Sequence, residues 1–354
     1  MGDHMATLED VAALSGVSAM TVSRVINNSQ KVSAKTIAKV EAVIQELNYR
    51  PNLVARGLAT NRTSTVGILI SYLENPMYSR MVSGVVQTAS AYGQDVILGI
   101  GYSTESLMKS IDTLLGKQID GLIVLPIEMR AQSTEEDIAH MASFYEKLER
   151  VLTEELGGRL PVISTEDYQM SGISGRVRVD YRGGAKTAVK YLYDNGHRKI
   201  GMICHDLSDK GIWNERYQGF LEAMEEIGCA VEEKYNCSTV NSVQGGFEAG
   251  MKLFSRSELP TAIYCANDII ASGVLKAAIT CRLRVPEDVS IIGHDGSLYS
   301  ENTYPRLTTV SICPYEVGEA CMEQLYALLN GRPIEKDRII SSELVKGESV
   351  NKII

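Results

Sequence analysis

The sequence predicts two parts: a small all-α headpiece carrying a helix-turn-helix, and an α/β core of two Rossmann-like parallel-sheet subdomains. Three observations carry this. Residues 7–62 hold apolar positions at helical spacing between recognisable caps. From Thr65 onward, short apolar runs alternate with longer amphipathic stretches, the periodicity of βαβ units with helices on both faces of a sheet. That alternation restarts near Ser171, so the core divides in two. A chain of 354 residues is long enough for more than one buried core.

In the headpiece, Thr7 followed by Asp10 forms a capping box for a first helix, and Gly16 ends it at a tight turn. Ser18 caps the second helix, where Val22, Val25 and Ile26 recur at helical spacing and turn inward. Ala19, Met20, Thr21, Ser23, Arg24 and Asn27 are left for the major groove of double-stranded DNA, the role of the second helix in such a motif. Arg24 is the expected base reader, because its planar fork matches the two acceptors that guanine presents there. Ile37, Val40, Ile44 and Leu47 stripe a third helix. Asn52 to Thr60, after Pro51, is about two turns long, too short to be a stable helix alone.

Charge localises the contact. Residues 1–62 hold 7 of the 35 basic and 5 of the 44 acidic side chains, a balance of +2 against −11 for the remainder, so the net charge of −9 does not oppose DNA binding. Affinity is expected to depend on salt through Arg24, Lys31, Lys35, Arg50 and Arg56. Seven cysteines, at 204, 229, 237, 265, 281, 313 and 321, show no C-x-x-C spacing and read as buried thiols of a reducing cytosol. No apolar run reaches membrane-spanning length and no signal-peptide core is visible, so a soluble cytoplasmic protein with no membrane contact is expected.

In the core the runs TVGILI, DVILGI, GLIVL and PVIS, then RVRV, KIGMIC, TAIYC and VSIIG, read as strands. Ligands of such folds bind at the carboxyl ends of the strands. Tyr72, Asn75 and Tyr78 follow the first strand and Glu166 the fourth. Trp213 and Arg216 open a helix of the second half, Asn267 and Asp268 follow TAIYC, and Asp295 follows VSIIG. Donors, acceptors and an indole face are what a polyhydroxylated small molecule requires. His197, in the G-H turn at 196–197, reads as a helix-to-strand residue rather than a catalyst. GIGYST at 99–104 lacks the third glycine of a dinucleotide site. The glycines at 183–184 open a helix and read as close packing, with anion binding as the alternative. No metal-site spacing and no G-x-S-x-G nucleophile occur in the sequence, so neither a cofactor, a metal nor an enzyme activity is expected.

The headpiece, with its TVSRVIN helix and NYRPNLVARGL segment, is similar to that of the LacI/GalR family of transcriptional regulators. The resemblance runs through ENPMY, IDGLIVLP, VRVDYRGG, NGHRKIG, ERYQGF, CANDIIASG and VSIIGHDGSLYSENTYPRLTTV, so it covers essentially the whole chain. It implies a periplasmic-binding-protein-like core, an effector-responsive repressor acting as a homodimer on a pseudo-palindromic operator, and a sugar or sugar derivative as effector. It also points to Arg216 and Asp295 as effector contacts, and to a hinge at 51–62. There Asn52, Ala55 and Leu58 contact DNA, with Leu58 wedged into the minor groove. The implied division is 5–50 for the DNA-binding domain, 51–62 for the hinge and 63–354 for the effector domain. Within the last, 63–165 goes with 312–330 and 166–311 with 331–354.

Three features depart from the family. In GHDG at 293–296 a glycine replaces a second acidic residue, and histidine stands where an aromatic residue is common. Met20 puts a thioether where polar base readers are frequent. Residues 127–159 make a longer link between the third and fourth strands than usual, with Ile138, Met141, Tyr145, Leu148 and Leu152 on one helical stripe. Surface packing and a partner contact are both readings of that stripe. No heptad tail follows SSELVKGES, which gives no basis for a tetramer. Two rival functions are a secreted solute receptor, which the headpiece disfavours, and a regulator of the same fold gated by a partner protein.

Overall fold

The computed structural model describes residues 6–27, 32–49, 62–127, 135–166, 170–205 and 212–353. They belong to two compact units, 1–63 and 64–354.

The first unit packs α1 (Leu8–Ser15), α2 (Ala19–Asn27) and α3 (Ala34–Glu46) around Val11, Ala12, Val22, Val25, Val40, Val43 and Tyr49. The expected caps form. Thr7 accepts from the Asp10 backbone while its own backbone N–H donates to the Asp10 carboxylate at 2.8 Å. Gly16 stops α1 in the left-handed conformation, φ +60°, and its N–H reaches back to the carbonyls of Ala12 and Ala13. A side chain at that φ would be strained, which is why the turn takes glycine. The α3 stripe lies inward as expected, with Val40 fully buried and Ile37, Ile44 and Leu47 packed at its margin.

The second unit holds two six-stranded sheets. Its first sheet contains β1 (Thr65–Ile70), β2 (Asp95–Ile100), β3 (Gly121–Val124), β4 (Val162–Ser164), β5 (Gly175–Val179) and β11 (Asp337–Ile340), in the order β11-β5-β4-β3-β1-β2 and parallel throughout. The helices here are α4 (Pro76–Ala91), α5 (Thr104–Gly116), α6 (Glu135–Arg150) and α12 (Pro314–Leu329). One face of the sheet is covered by α4 and α12, the other by α5 and α6. The second sheet contains β6 (Ile200–Cys204), β7 (Cys237–Ser238), β8 (Ala262–Cys265), β9 (Ser290–Asp295), β10 (Thr308–Ser311) and β12 (Glu343–Val345), in the order β12-β10-β9-β8-β6-β7. Only β12 runs antiparallel among these described strands. Its faces carry α7 (Tyr181–Asp194) and α8 (Ile212–Glu226) on one side, α9 (Val243–Phe254) and α10 (Asp268–Thr280) on the other. A short α11 (Leu298–Glu301) follows β9.

The crossing between subdomains differs from the sequence reading. The run RVRV is β5 and belongs to the first sheet, so the chain leaves that subdomain after Val179 and not near residue 166 or 171. Likewise 331–354 is divided, β11 completing the first sheet and β12 the second. Hydrophobic alternation marks a strand but not its sheet. That is decided by pairing: β5 joins β4 at Ile163↔Gly175 and Ser164↔Arg176, while β11, distant in sequence, pairs with its other edge from Asp337↔Arg176 to Ile340↔Val179 and adds the Arg178–Asp337 ion pair at 2.6 Å. Three segments therefore join the subdomains, after β5, after β10 and after β11.

The described part of the 127–159 link, from Ala142 onward, joins the core. Phe144, Tyr145, Leu148, Val151 and Leu152 are buried against Leu107, Ile111 and Leu114 of α5, so surface packing accounts for the described part of the stripe. The side chains of Ile138 and Met141 lie outside the described residues. Of the cysteines, Cys204, Cys237, Cys265 and Cys321 are buried as expected, whereas Cys229, Cys281 and Cys313 are half-buried.

Candidate functional site

On α2, Ser18 spends its hydroxyl on the cap: its Oγ accepts from the Thr21 N–H at 3.2 Å and lies 2.9 Å from Thr21 Oγ1. Ala19 is half-buried against the core, and Thr21 and Ser23 are half-buried on the flank. The side chains that stand out are Met20, 65% exposed, and Arg24. Asn27 ends the helix, with its side chain outside the described residues. Asn52, Ala55 and Leu58, like Lys31, Arg50 and Arg56, also lie outside them.

In the second unit the carboxyl ends of β6, β8 and β9 converge on a buried charge. Arg216, on the first turns of α8, is 1% exposed. Its Nη2 donates to Asp295 Oδ1 at 2.7 Å, its Nη1 donates to the Ala266 carbonyl, and its guanidinium lies 4.7 Å from the centre of the Tyr181 ring. Burial is the largest influence and works against the charge, but Asp295, then Tyr181 and Tyr264, together outweigh it and raise the pKa, so the guanidinium stays charged. Asp295 ends β9 with φ +105°, a conformation that costs a non-glycine residue energy and that the surrounding contacts must hold. The fold thus brings together Arg216 and Asp295, two residues singled out in the sequence as effector contacts and 79 positions apart, and joins them directly to each other.

Asp268 and Asn267 sit next to this pair and are spoken for within the protein. Asp268 accepts from the Ser297 N–H at 2.7 Å and the Thr309 hydroxyl at 2.5 Å, and burial, then Asp295, pushes its carboxyl well above the usual carboxylate range. Asn267 caps α10 by accepting from Ile270 N–H at 2.8 Å and donates to Asn241. Asp268 thereby holds the loop that follows Asp295, while Asn267 ties the start of α10 to the segment before α9. Trp213 lies on α8, with its side chain outside the described residues.

The first-subdomain candidates form a separate group. Asn75 caps α4 by accepting from Met77 N–H at 3.0 Å, and Glu166 accepts from Ile127 N–H at 2.6 Å. Tyr72 is half-buried and meets Tyr78 edge-on at 5.4 Å, while Tyr78 is fully buried in the core. Tyr72, Asn75 and Glu166 are therefore the ones within reach of a ligand without repacking.

Sequence reasoning missed Tyr181 and gave His294 no role. His294 is fully buried; its Nδ1 lies 2.7 Å from the Tyr264 hydroxyl, and its ring sits 6.3 Å from Tyr181. Burial, then the charge on Arg216, lowers its pKa well below 6.5, so the imidazole is neutral. A Cβ on Gly184 would stand 2.8 Å from its Cε1, so the second glycine of 183–184 makes room for this ring. The departure from an aromatic residue at 294 was the available signal. Among the described residues no cluster of His, Cys, Asp or Glu could hold a metal ion, and no helix is long and apolar enough to cross a membrane.

A three-helix reading head followed by a two-sheet receptor core with a buried arginine–aspartate pair defines a ligand-sensing DNA-binding regulator. Residues 7–52 match the bacterial regulatory proteins of the lacI family, and residues 189–350 match the periplasmic binding protein-like domain. The ribose operon repressor of Escherichia coli (strain K12) is 33% identical over 336 residues, 95% of this chain and 96% of the relative. The transcriptional repressor PurR of Pasteurella multocida is 32% identical over 348 residues, 98% and 99% of the two chains. Among solved structures, the lac repressor dimer bound to operator and the anti-inducer ONPF aligns with a TM-score of 0.77 at 27% identity, covering 98% of this chain and 100% of that one. The complex of the regulator CelR with cellobiose aligns with a TM-score of 0.66 at 28% identity, covering 97% and 99%. The chain belongs to the LacI family of bacterial transcriptional regulators.

Proposed function

We propose that this regulator is a repressor, acting as a homodimer on a pseudo-palindromic operator, whose DNA affinity is set by a small polyhydroxylated effector held between the two subdomains. The observation that carries the effector assignment is the Arg216–Asp295 pair at 2.7 Å, buried where the second sheet's strands end. A guanidinium offers planar paired donors and a carboxylate accepts from hydroxyls, so together they match a sugar's adjacent oxygens. Tyr72, Asn75 and Glu166 supply polar groups at the strand ends of the other subdomain. The names of two similar proteins, a ribose operon repressor and a regulator in complex with cellobiose, favour sugars for this one.

Three crossovers permit one subdomain to rotate on the other, and an effector bound to both favours the closed arrangement. That rotation would move the segments leading to the two headpieces of a dimer, where residues 51–62 serve as hinge and Leu58 as minor-groove wedge. Calorimetric titration of the full chain with ribose, other pentoses, cellobiose and purine bases tests this. Binding by one of them, lost in Arg216→Ala, is the expected result. If none binds, gating by a partner protein replaces the small-molecule reading.

A further inference from the structure

Resting on the reading of α2 as the DNA-reading helix, we propose that Met20 reads sequence by packing its thioether on the C5-methyl group of a thymine, one or two base pairs from the guanine that Arg24 contacts. The outward face of α2 leaves little choice. Val22 and Val25 are buried, Ala19 is half-buried against the core, and the Thr21 hydroxyl lies 2.9 Å from the capping hydroxyl of Ser18. Two long side chains remain exposed, Met20 at 65% and Arg24. They are four residues apart, so they lie on one face about one turn, or roughly 6 Å, from each other along the helix. At about 3.4 Å per base pair, that spacing is one to two steps of the duplex.

The two side chains have opposite chemistry. Arg24 answers acceptors. Met20 neither donates nor accepts usefully, so at its step only an apolar feature of the major groove distinguishes one base from another, and that feature is the thymine methyl. An unbranched thioether adapts to such a contact without a fixed geometry. Left in water, an apolar side chain this exposed gains nothing for the free protein, and Met20 belongs to no cluster of the headpiece core.

The test begins with selection of a binding site by the full-length protein from random duplexes. Each thymine of the half-site is then replaced by deoxyuridine, which removes only the methyl group. One substitution, one or two base pairs from the guanine whose replacement Arg24→Ala tolerates, is expected to cost the wild type about 3- to 10-fold in affinity and Met20→Ala nothing. Met20→Gln, which supplies a donor and an acceptor, should exchange the thymine preference at that step for adenine. Uridine effects that are equal in wild type and Met20→Ala, or an unchanged selected site for Met20→Gln, would overturn the assignment. A selection that returns no consensus would instead remove sequence-specific reading by α2, and this inference with it.

Discussion

Arg216 is among the largest fully buried side chains of the protein, and its charge is tolerable only because Asp295 meets it. Removing one partner of a buried pair leaves the other uncompensated. Asp295→Ala should therefore cost about 3–5 kcal/mol in denaturant unfolding of the core, with a smaller cost when Arg216→Met accompanies it. On the headpiece the corresponding choice is exposure: Arg24→Ala should leave stability unchanged and weaken operator binding by about 1–3 kcal/mol, with a lesser effect on random DNA, in gel-shift titrations. Two histidines supply one part of the pH dependence. His197 is held between Thr261 Oγ1 and the Asn351 carbonyl, each 3.0 Å away, and burial lowers its pKa below 6.5; His294 is lowered further by burial and by Arg216. Each folded-state pKa is depressed, so the unfolded chain binds the extra proton first. Stability is then complete above the ordinary value of 6.5 and is lost as pH falls below it. Asp268, whose folded-state pKa is raised, works in the opposite sense and adds stability as pH falls, so the expected outcome is a difference between proteins: from about pH 7.5 to about pH 5.5 the melting temperature of His294→Phe should fall less, or rise more, than that of the wild type.

At the scale of elements, the capped helices and the buried parallel strands were legible, because each writes its own period into its own residues. The capping box at Thr7, the left-handed Gly16 and the runs of β1, β2, β3 and β6 are of this kind. What was not legible depends on partners far along the chain. β11 and β12 lie close together in sequence yet join different sheets, a division fixed by their ladders to β5 and β10 upstream. Of the candidate site, Arg216 and Asp295 were each singled out through resemblance, but their bond to one another was not. Asp268 looked equally available, but its oxygens are taken by Ser297 and Thr309, whose approach depends on the loop after β9. α6 shows the same limit from the other side, since periodicity gave it an apolar face without saying what covers it. Leu148, fully buried there among α5 residues, should on Leu148→Ala lower unfolding free energy by about 2–5 kcal/mol. Unaltered stability would mean that this face is not core.

For the molecule as a whole, the headpiece and the receptor core each close around their own apolar cluster, within 1–63 and 64–354. Val40 is fully buried in the first. Val40→Ala should weaken that unit by about 1.5–3 kcal/mol and lower one calorimetric transition while the other stays in place. A single transition that shifts as one would show that the units melt together.

The threading of the receptor core also imposes an order on its synthesis. β5 acquires its outer neighbour only when residues 337–340 arrive, and β10 acquires its own with 343–345. The headpiece cluster, by contrast, is complete by Tyr49. A chain growing on the ribosome from its N-terminus therefore carries a finished DNA reader long before it carries a sensor, and through that interval the edges of β5 and β10 stand open. Open strand edges recruit whatever chain lies nearest, including a sister chain on the same message. The strands at 337–340 and 343–345 are thus the ones that close the two sheets of the receptor core.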